Sequence, residues 1–194
     1  MRKPPEARNA GAPPVGNCDY LDEVTITSQY DADRVSACSN LNGVFVADVA
    51  EPLVIDWPTL TTVKGELHFA RDAKLTRISI PNLRQLDGEL YLKANAALKT
   101  VELPGLIKIT GDADLESAIF VEDNPLLARF VVSLDLRTKG ATRVSGSPLL
   151  CDAANLITLS NSNALSNAYI DLPCTYPTPD PDPGSAGAAG SVDF

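Results

Sequence analysis

Four carboxylates in the middle of the chain have residue types and spacing that could do chemistry. Asp56, Glu66, Glu89 and Glu102 fall at positions that face outward if the segments around them are strands. Sugar hydrolysis uses two carboxylates held about 5 to 10 Å apart around a cleft. A carbohydrate-active enzyme, either a polysaccharide lyase or a hydrolase, is therefore one hypothesis for this chain.

An ordinary solvated surface explains the same carboxylates with fewer assumptions. Lys64, Lys93 and Lys99 lie close to them in the sequence and would screen their charge. The chain is also short for a β-helical enzyme that must carry cleft-forming loops. We therefore predict a protein that is not an enzyme, with no catalytic residues and no cofactor.

A single histidine and a short acidic segment could also support chemistry, but each has a simpler explanation. His68 has no Ser or Cys partner at a recognisable motif spacing, so it is interpreted as a surface residue. Asp112, Asp114 and Glu116 alternate in "GDADLE", which would suit the oxygen ligands of Ca²⁺. The segment lacks the downstream Glu of a recognised calcium loop. It is interpreted as an acidic loop, with a calcium site as the weaker alternative and no other metal site predicted.

The cysteines occur as two groups, Cys18 with Cys38 and Cys151 with Cys174. Since no CxxC is present, disulfides are favoured over a metal site. Three connectivities are open, and pairing within each group is favoured because the others would have to span a repeat region about 20 Å tall. Disulfides indicate an oxidising, extracellular compartment. Residues 1–17 contain no apolar h-region, so either a leader has been removed or the thiols are unpaired.

Composition narrows the class of partner. A net charge of -9 disfavours phosphate backbones, which are bound through Lys and Arg clusters, so we predict no nucleic-acid partner. Hydrophobic residues make up 44% of the chain, which is typical of a globular protein that does not span a membrane.

The elements that carry these residues are indicated by an internal repeat. Residues 64–109 match themselves at a shift of 23, so that Gly65 aligns with Gly88 and Leu67 with Leu90. Gly43 precedes Gly65 by 22 residues. Downstream, Asn95, Asn124 and Ser147 continue the series at steps of 29 and 23. About five coils fit between residues 41 and 150, and the six extra residues are assigned to a loop.

Each coil has alternating apolar residues in two segments, as in "GELHFA" and "LTRISIP", and Gly and Pro interrupt every run before a helix could form. Two strands per coil cannot bury their apolar face alone and must stack on the next coil. The sequence therefore predicts an all-β, parallel β-solenoid. The inward set of one coil is Leu67, Phe69, Leu75, Ile78, Ile80 and Leu83.

Short caps are expected at both ends of the coils, because open ladder edges invite pairing with other chains. Residues 18–40 contain Asp and Ser helix starts and an apolar stripe through Ala32, Val35 and Ala37, which predicts a small helix. Residues 151–174 show a similar pattern. Residues 1–17 are predicted to be disordered, and the Pro, Asp, Gly and Ala-rich residues 175–194 to be a linker or stalk.

The repeat G-x-L-x-[FL]-x5-L-x2-[IV]-x-[IL]-P-x-L-x2-[IL], preceded by "DAD" and a Cys and closed by "PLLC", resembles the receptor L-domain superfamily over residues 18–174. The pattern is most similar to secreted, glycolipid-anchored fungal cell-wall proteins and to related bacterial surface proteins. The resemblance implies a right-handed β-helix with disulfide-held caps. It also implies a surface location and a role in wall organisation or ligand binding. Tethering by a C-terminal anchor beyond this chain stays open.

The repeat register predicts one outward column of residues suited to binding. It consists of Val46, His68, Tyr91, Phe120 and Arg143, while Phe45, Leu67, Leu90, Ile119 and Thr142 are predicted to point inward. Flat rings in a row suit sugar faces or a partner protein. Aromatic side chains also stabilise a sheet through cross-strand pairs, so a packing role is the alternative. We therefore predict a non-catalytic surface protein that binds a wall polysaccharide or a surface protein, with a purely structural spacer as a further hypothesis.

Overall fold

The computed structural model describes residues 18, 23–46, 49–111, 117–151 and 168–171. Within these residues the chain winds into a β-solenoid of about five turns, in which all strand pairs are parallel. Three sheets run along the solenoid, and each complete coil contributes one strand to each of them. The predicted all-β solenoid is therefore confirmed.

The three sheets differ in length. In the described residues, the first sheet has seven strands, β1 (Val24–Ile26), β3 (Val44–Val46), β6 (Leu67–Ala70), β9 (Leu90–Lys93), β12 (Ser117–Glu122), β15 (Ala141–Ser145) and β16 (Ala168–Asp171). The second has four, β4 (Leu53–Asp56), β7 (Leu75–Ser79), β10 (Thr100–Leu103) and β13 (Arg129–Val132). The third has five, β2 (Asn40–Leu41), β5 (Thr62–Val63), β8 (Gln85–Leu86), β11 (Lys108–Ile109) and β14 (Arg137–Thr138).

The prediction of two strands per coil is wrong, because each complete coil has a third strand in the third sheet. Its strands are two residues long, which is too short to show an alternating pattern by itself. Each strand nevertheless places one residue outward and one inward, as Gln85 and the buried Leu86 do in β8. The segment that follows the Pro of each repeat is therefore a third side of the coil.

The core runs through the middle of the coils as a continuous apolar column. All six side chains that were predicted to point inward in one coil, from Leu67 to Leu83, are fully buried. At about 1.5 to 3 kcal/mol for each large buried side chain, one coil gains about 10 to 15 kcal/mol from burial before the loss of conformational entropy.

A buried polar ladder fixes one corner of the solenoid. The side chains of Asn95 and Asn124 are fully buried, and each accepts a hydrogen bond from the backbone N–H at the equivalent position of the preceding coil, Asp72 and Asn95 respectively. Their amide groups donate to the carbonyls of Phe69 and Leu92. These bonds lock neighbouring coils in one register, because a slip would leave buried polar groups without partners.

The N-terminal turn is closed by a helix instead of a strand. Helix α1 (Gln29–Val35) lies between β1 and β2, begins after the N-cap Ser28 and contacts β4. The side-chain amide of Gln29 donates to the Val54 carbonyl and accepts from the Val54 N–H. Both backbone groups of this residue on the edge strand β4 therefore have hydrogen-bond partners. The predicted capping helix is confirmed, with Ala32 and Val35 buried.

Of three further details of this cap, the first differs from the prediction, the second agrees with it and the third was not predicted. Ala37 lies beyond the end of α1 and is exposed, so it is not part of the apolar stripe. A disulfide joins Cys18 to Cys38, with a Cα–Cα distance of 5.1 Å, as predicted for pairing within the first group. The indole of Trp57 is fully buried and donates to the Ala32 carbonyl, which fixes α1 against the first complete coil.

At the other end, the 3-10 helix Pro148–Cys151 follows β15, and strand β16 extends the first sheet. The predicted C-terminal capping helix, the second disulfide and the segments 1–17 and 175–194 lie outside the described residues. No helix among the residues that the structure describes is long and apolar enough to cross a membrane.

Candidate functional site

The outer side of the first sheet carries the predicted column of aromatic residues. His68, Tyr91 and Phe120 are Cα partners on β6, β9 and β12, and Arg143 follows on β15. All of these side chains point outward because their strand neighbours Leu67, Leu90, Ile119 and Thr142 are buried. The register therefore places four of the five predicted residues in one line.

The first member of the column was predicted wrongly. Phe45, not Val46, is the Cα partner of His68, and Val46 is buried in the core. The prediction counted from Gly43 to Gly65, a step of 22, whereas the strands repeat at 23. A one-residue slip reverses the face of every side chain in a strand, so Phe45 was placed inside and Val46 outside. We define the aromatic column as Phe45, His68, Tyr91 and Phe120.

The rings of the aromatic column stack on one another. Ring centroids are 4.7 Å apart between Phe45 and His68, 4.5 Å between His68 and Tyr91, and 4.9 Å between Tyr91 and Phe120. The interplanar angles are 22°, 16° and 12°. Because the rings lie nearly parallel at this spacing, their flat faces are covered by their neighbours. The column presents a ridge of ring edges to solvent, so it does not offer the flat ring surfaces that were expected to suit sugar faces.

Charged groups close one end of the column. The guanidinium carbon of Arg143 lies 5.6 Å from the Phe120 ring centroid, and the ammonium of Lys93 lies 5.5 Å from it. Both distances are in the range of a cation–π contact. Lys93 also forms an ion pair with Glu122, and a hydrogen bond from its ammonium to that carboxylate raises the pKa of Lys93.

The line of outward residues continues at both ends beyond the predicted set. Thr25 on β1 is the partner of Phe45, and Tyr169 on β16 is the partner of Arg143. Tyr169 is 61% exposed, more than any other large hydrophobic side chain of the described residues. Sequence reasoning missed Tyr169 because its strand lies outside the regular repeat, although "AYID" alternates like the earlier strands.

His68 is the polar member of the column. Its Nδ1 lies 3.5 Å from Oε2 of Glu66, and both side chains are about one-third exposed or less. Stacking between Phe45 and Tyr91 holds the imidazole edge outward. His68 therefore contributes a hydrogen-bonding atom to the ridge, and the hydroxyl of Tyr91 contributes a second one coil further, between the apolar rings of Phe45 and Phe120 at the two ends.

A shallow groove runs beside the first part of the aromatic column. It has a volume of about 400 Å³ and is lined by Phe45, three glycines and three acidic residues, namely Gly65, Gly88, Gly111, Glu23, Glu66 and Asp87. The glycines stack through hydrogen bonds from Gly88 N–H to the Gly65 carbonyl and from Gly111 N–H to the Gly88 carbonyl. The sequence repeat aligned Gly65 with Gly88 but did not include Gly111 and gave no sign of a groove.

The carboxylates that were considered for catalysis lie on two sheets: Asp56 and Glu102 are in one register line of the second sheet, with Ser79 between them, whereas Glu66 and Glu89 precede strands of the first. Glu102 accepts hydrogen bonds from Arg129 and Arg77, at 3.0 and 2.8 Å, and these bonds lower its pKa. A carboxylate held in its charged form is poorly suited to act as a general acid. Asp56 is exposed on the edge strand β4 of the same sheet. Lys99 is exposed but forms no ion pair with Glu102, so arginines screen this carboxylate instead of the predicted lysine.

The other two candidate carboxylates, Glu66 and Glu89, do not form the solvated surface that was predicted. Glu66 is partly exposed beside His68, whereas Glu89 is only 3% exposed. The prediction that Glu89 lies on an open face is wrong, because the residue precedes β9 at the corner where the coils pack closely. The two carboxylates therefore differ in solvation and do not form an open pair around a cleft.

The predicted calcium ligands Asp112, Asp114 and Glu116 lie outside the described residues. Within the described part of the chain, no three His, Cys, Asp or Glu side chains are grouped as metal ligands.

Comparison of the chain with protein-family models, with curated proteins and with solved structures gives no match. The solenoid, the aromatic column and the groove beside it are therefore the features that can indicate a function.

Proposed function

We propose that this chain is a non-catalytic protein of the cell surface or of a secreted envelope layer, which binds a wall polysaccharide or another surface protein through its first sheet. The observation that carries the proposal is the aromatic column, in which four rings occupy the same outward position of successive coils. A role in the organisation of the wall or envelope follows from such binding.

The location is supported by the Cys18–Cys38 disulfide, since disulfides persist mainly in oxidising compartments. The resemblance of the repeat to receptor L-domains supports the same location and a binding role. An extended ligand suits the site, because the column and the adjacent groove both run across several coils.

The mode of contact follows from the stacking geometry. Since ring faces are covered, a ligand would contact ring edges and form hydrogen bonds with His68 and Tyr91. The carboxylates of Glu23, Glu66 and Asp87 line the groove and would accept hydrogen bonds from sugar hydroxyls or from partner amides. A neutral or cationic ligand is favoured at this site over an acidic one.

A structural spacer is the second candidate function, and the stacking itself favours it. Parallel aromatic pairs stabilise a protein by about 0.5 to 1.5 kcal/mol each beyond their burial. The stability gained from three such pairs would explain why the aromatic column is present without any ligand. In that case substitutions in the column lower stability and leave every interaction unchanged.

The two functions are separated by a binding screen of the intact chain on a glycan array and in pull-downs of envelope proteins. We expect the combined substitution Tyr91→Ala and Phe120→Ala to abolish the detected interaction. Leu126→Ala with Leu134→Ala is the matched control, because both leucines are exposed apolar residues outside the column. Circular dichroism would confirm that both variants stay folded. Binding that survives the loss of Tyr91 and Phe120 would exclude this site and favour the spacer.

A further inference from the structure

The outer side of the third sheet carries a group of cations that has no part in the aromatic column. Lys108 and Arg137 lie directly opposite one another on the neighbouring strands β11 and β14. Arg84 immediately precedes Gln85, the partner of Lys108 on β8, and Lys139 follows β14. All four cationic side chains belong to exposed residues. We define them as the basic face.

Among the described residues, several cations of the coils form no ion pair, Lys64 and Lys99 included, and those of the basic face are distinguished by lying together on neighbouring coils. Arg77 and Arg129 share Glu102, and Lys93 pairs with Glu122. In the described part of the chain, no ion pair involves a residue of the basic face. The nearest acidic residue along β8, Asp87, accepts hydrogen bonds from Gln85 and Thr110 instead.

Holding two cations directly opposite one another destabilises a sheet, since like charges on neighbouring strands repel. The chain has 25 acidic residues against 16 basic ones, so carboxylates that could neutralise this pair are abundant in its composition. A local excess of positive charge on an acidic protein raises the local concentration of anions and lowers the repulsion when an anion binds.

We propose that the basic face binds a linear acidic polysaccharide, with carboxylate or sulfate groups along its length. The cations lie on successive coils, so they follow the solenoid axis as the charges of a linear polymer do. The column of Lys108 and Arg137 continues through Gln85 and Thr62, which can hydrogen-bond to sugar hydroxyls.

Nucleic acid is the competing polyanion and fits this face less well. Proteins that bind single strands place aromatic rings beside their cations so that bases can stack. Among the described residues, the strands of the third sheet carry no aromatic ring. This inference does not depend on the proposed function, because the aromatic column lies on a different sheet.

The test is a titration of the intact chain with polygalacturonate, with dextran sulfate and with neutral dextran at low ionic strength. We expect binding of the two anionic polymers only, and weakening as salt is added because the interaction is electrostatic. Lys108→Glu places opposite charges on β11 and β14, so we expect about tenfold weaker binding with an unchanged or higher midpoint of thermal unfolding. That combination separates loss of the site from loss of the fold.

Lys99→Glu is the matched control, since it makes the same change in net charge at an exposed lysine outside the basic face. We expect less than about a twofold change in affinity for this variant. Three results would overturn the proposal. They are equal losses in both variants, no binding of either anionic polymer by the natural sequence, or tighter binding of single-stranded nucleic acid than of polygalacturonate. Binding that persists in the Tyr91→Ala and Phe120→Ala variant would show that the two sites are independent.

Discussion

At the scale of single residues, the polar ladder inside the coils shows how one position is used differently in successive turns. The side-chain amides of Asn95 and Asn124 each donate a hydrogen bond to a backbone carbonyl on the first-sheet strand of the preceding coil. The equivalent residue one coil earlier is Asp72, whose Oδ1 accepts from the N–H groups of Lys74 and Leu75. Its Oδ2 is buried and has no hydrogen-bond partner among the residues that the structure describes. In the later coils this position holds an amide that donates to a backbone carbonyl. In the earlier coil it holds the Asp72 carboxylate, which can only accept.

We predict that Asp72→Asn raises the free energy of unfolding by about 1 kcal/mol, the usual net contribution of a buried hydrogen bond. The new amide would lie near the Val46 carbonyl, which is the counterpart of the Phe69 carbonyl bound by Asn95. Urea denaturation at neutral pH measures the change. The reverse substitution Asn95→Asp is the control and should destabilise the protein by about 1 to 3 kcal/mol. A loss of stability in Asp72→Asn would show that Oδ2 of this carboxylate accepts from a donor that the amide nitrogen cannot replace.

At the scale of elements, the strands of the first and second sheets were predictable because alternation over four or five residues specifies both the element and its buried face. Leu67 and Phe69, and then Ile78 and Ile80, were placed correctly for this reason. The third sheet was missed, since a strand such as β8 has only two residues and its pairing depends on the coils on either side. Periodicity within one segment cannot report a pairing that stacking creates.

The functional site was predictable to the extent that the strand register was. Tyr91 and Phe120 were placed correctly from sequence spacing alone. Phe45 was placed on the wrong side, because Gly43 was used to set the register although it does not stack under Gly65. The structure places the Asn42 carbonyl under Gly65 instead. The groove and the ring stacking could not be predicted, since both depend on how coils are aligned in space.

At the corner before β9, Gly88 lies so close to the backbone of the preceding coil that no larger residue fits. A Cβ on Gly88 would lie 2.4 Å from the carbonyl carbon of Gly65 and 2.7 Å from the backbone nitrogen of Glu66. Backbone atoms of a stacked coil cannot move without breaking its hydrogen bonds, so we expect Gly88→Ala to destabilise the protein by about 3 kcal/mol. Thermal unfolding measures the effect.

Gly43→Ala is the matched control for this substitution. The three described atoms nearest to a Cβ there all belong to the Glu23 side chain, the first at 3.0 Å, and that flexible side chain can move away. We expect a change below about 1 kcal/mol. Equal effects of the two substitutions would mean that close stacking of the coils at Gly88 is not what requires glycine.

At the scale of the whole molecule, the first turn protects the ladder from pairing with other chains. Helix α1 takes the place of a strand over the edge of the second sheet, and Gln29 binds both backbone groups of Val54. At the start of the helix, two side-chain hydroxyls, those of Thr27 and Ser28, and the backbone N–H of Thr27 donate hydrogen bonds to Oδ2 of Asp31. Burial raises the pKa of Asp31, but these hydrogen bonds outweigh it and leave the pKa below its usual value. The cap is therefore built by local polar contacts and is joined to the chain before it by one disulfide.

We predict that removing this disulfide by Cys18→Ser with Cys38→Ser lowers the free energy of unfolding by about 3 kcal/mol, as expected for a closed loop of about 20 residues. A loosened cap would also leave the Val54 edge open for part of the time, so the variant should form larger concentration-dependent assemblies than the natural sequence at the same temperature. Urea denaturation with and without reductant measures the first effect, and light scattering measures the second. Reductant should bring the natural sequence to the stability of the variant and leave the variant unchanged. If the variant loses stability without oligomerising, the helix covers the edge by its own packing through Trp57 and Gln29, and the bridge serves stability alone.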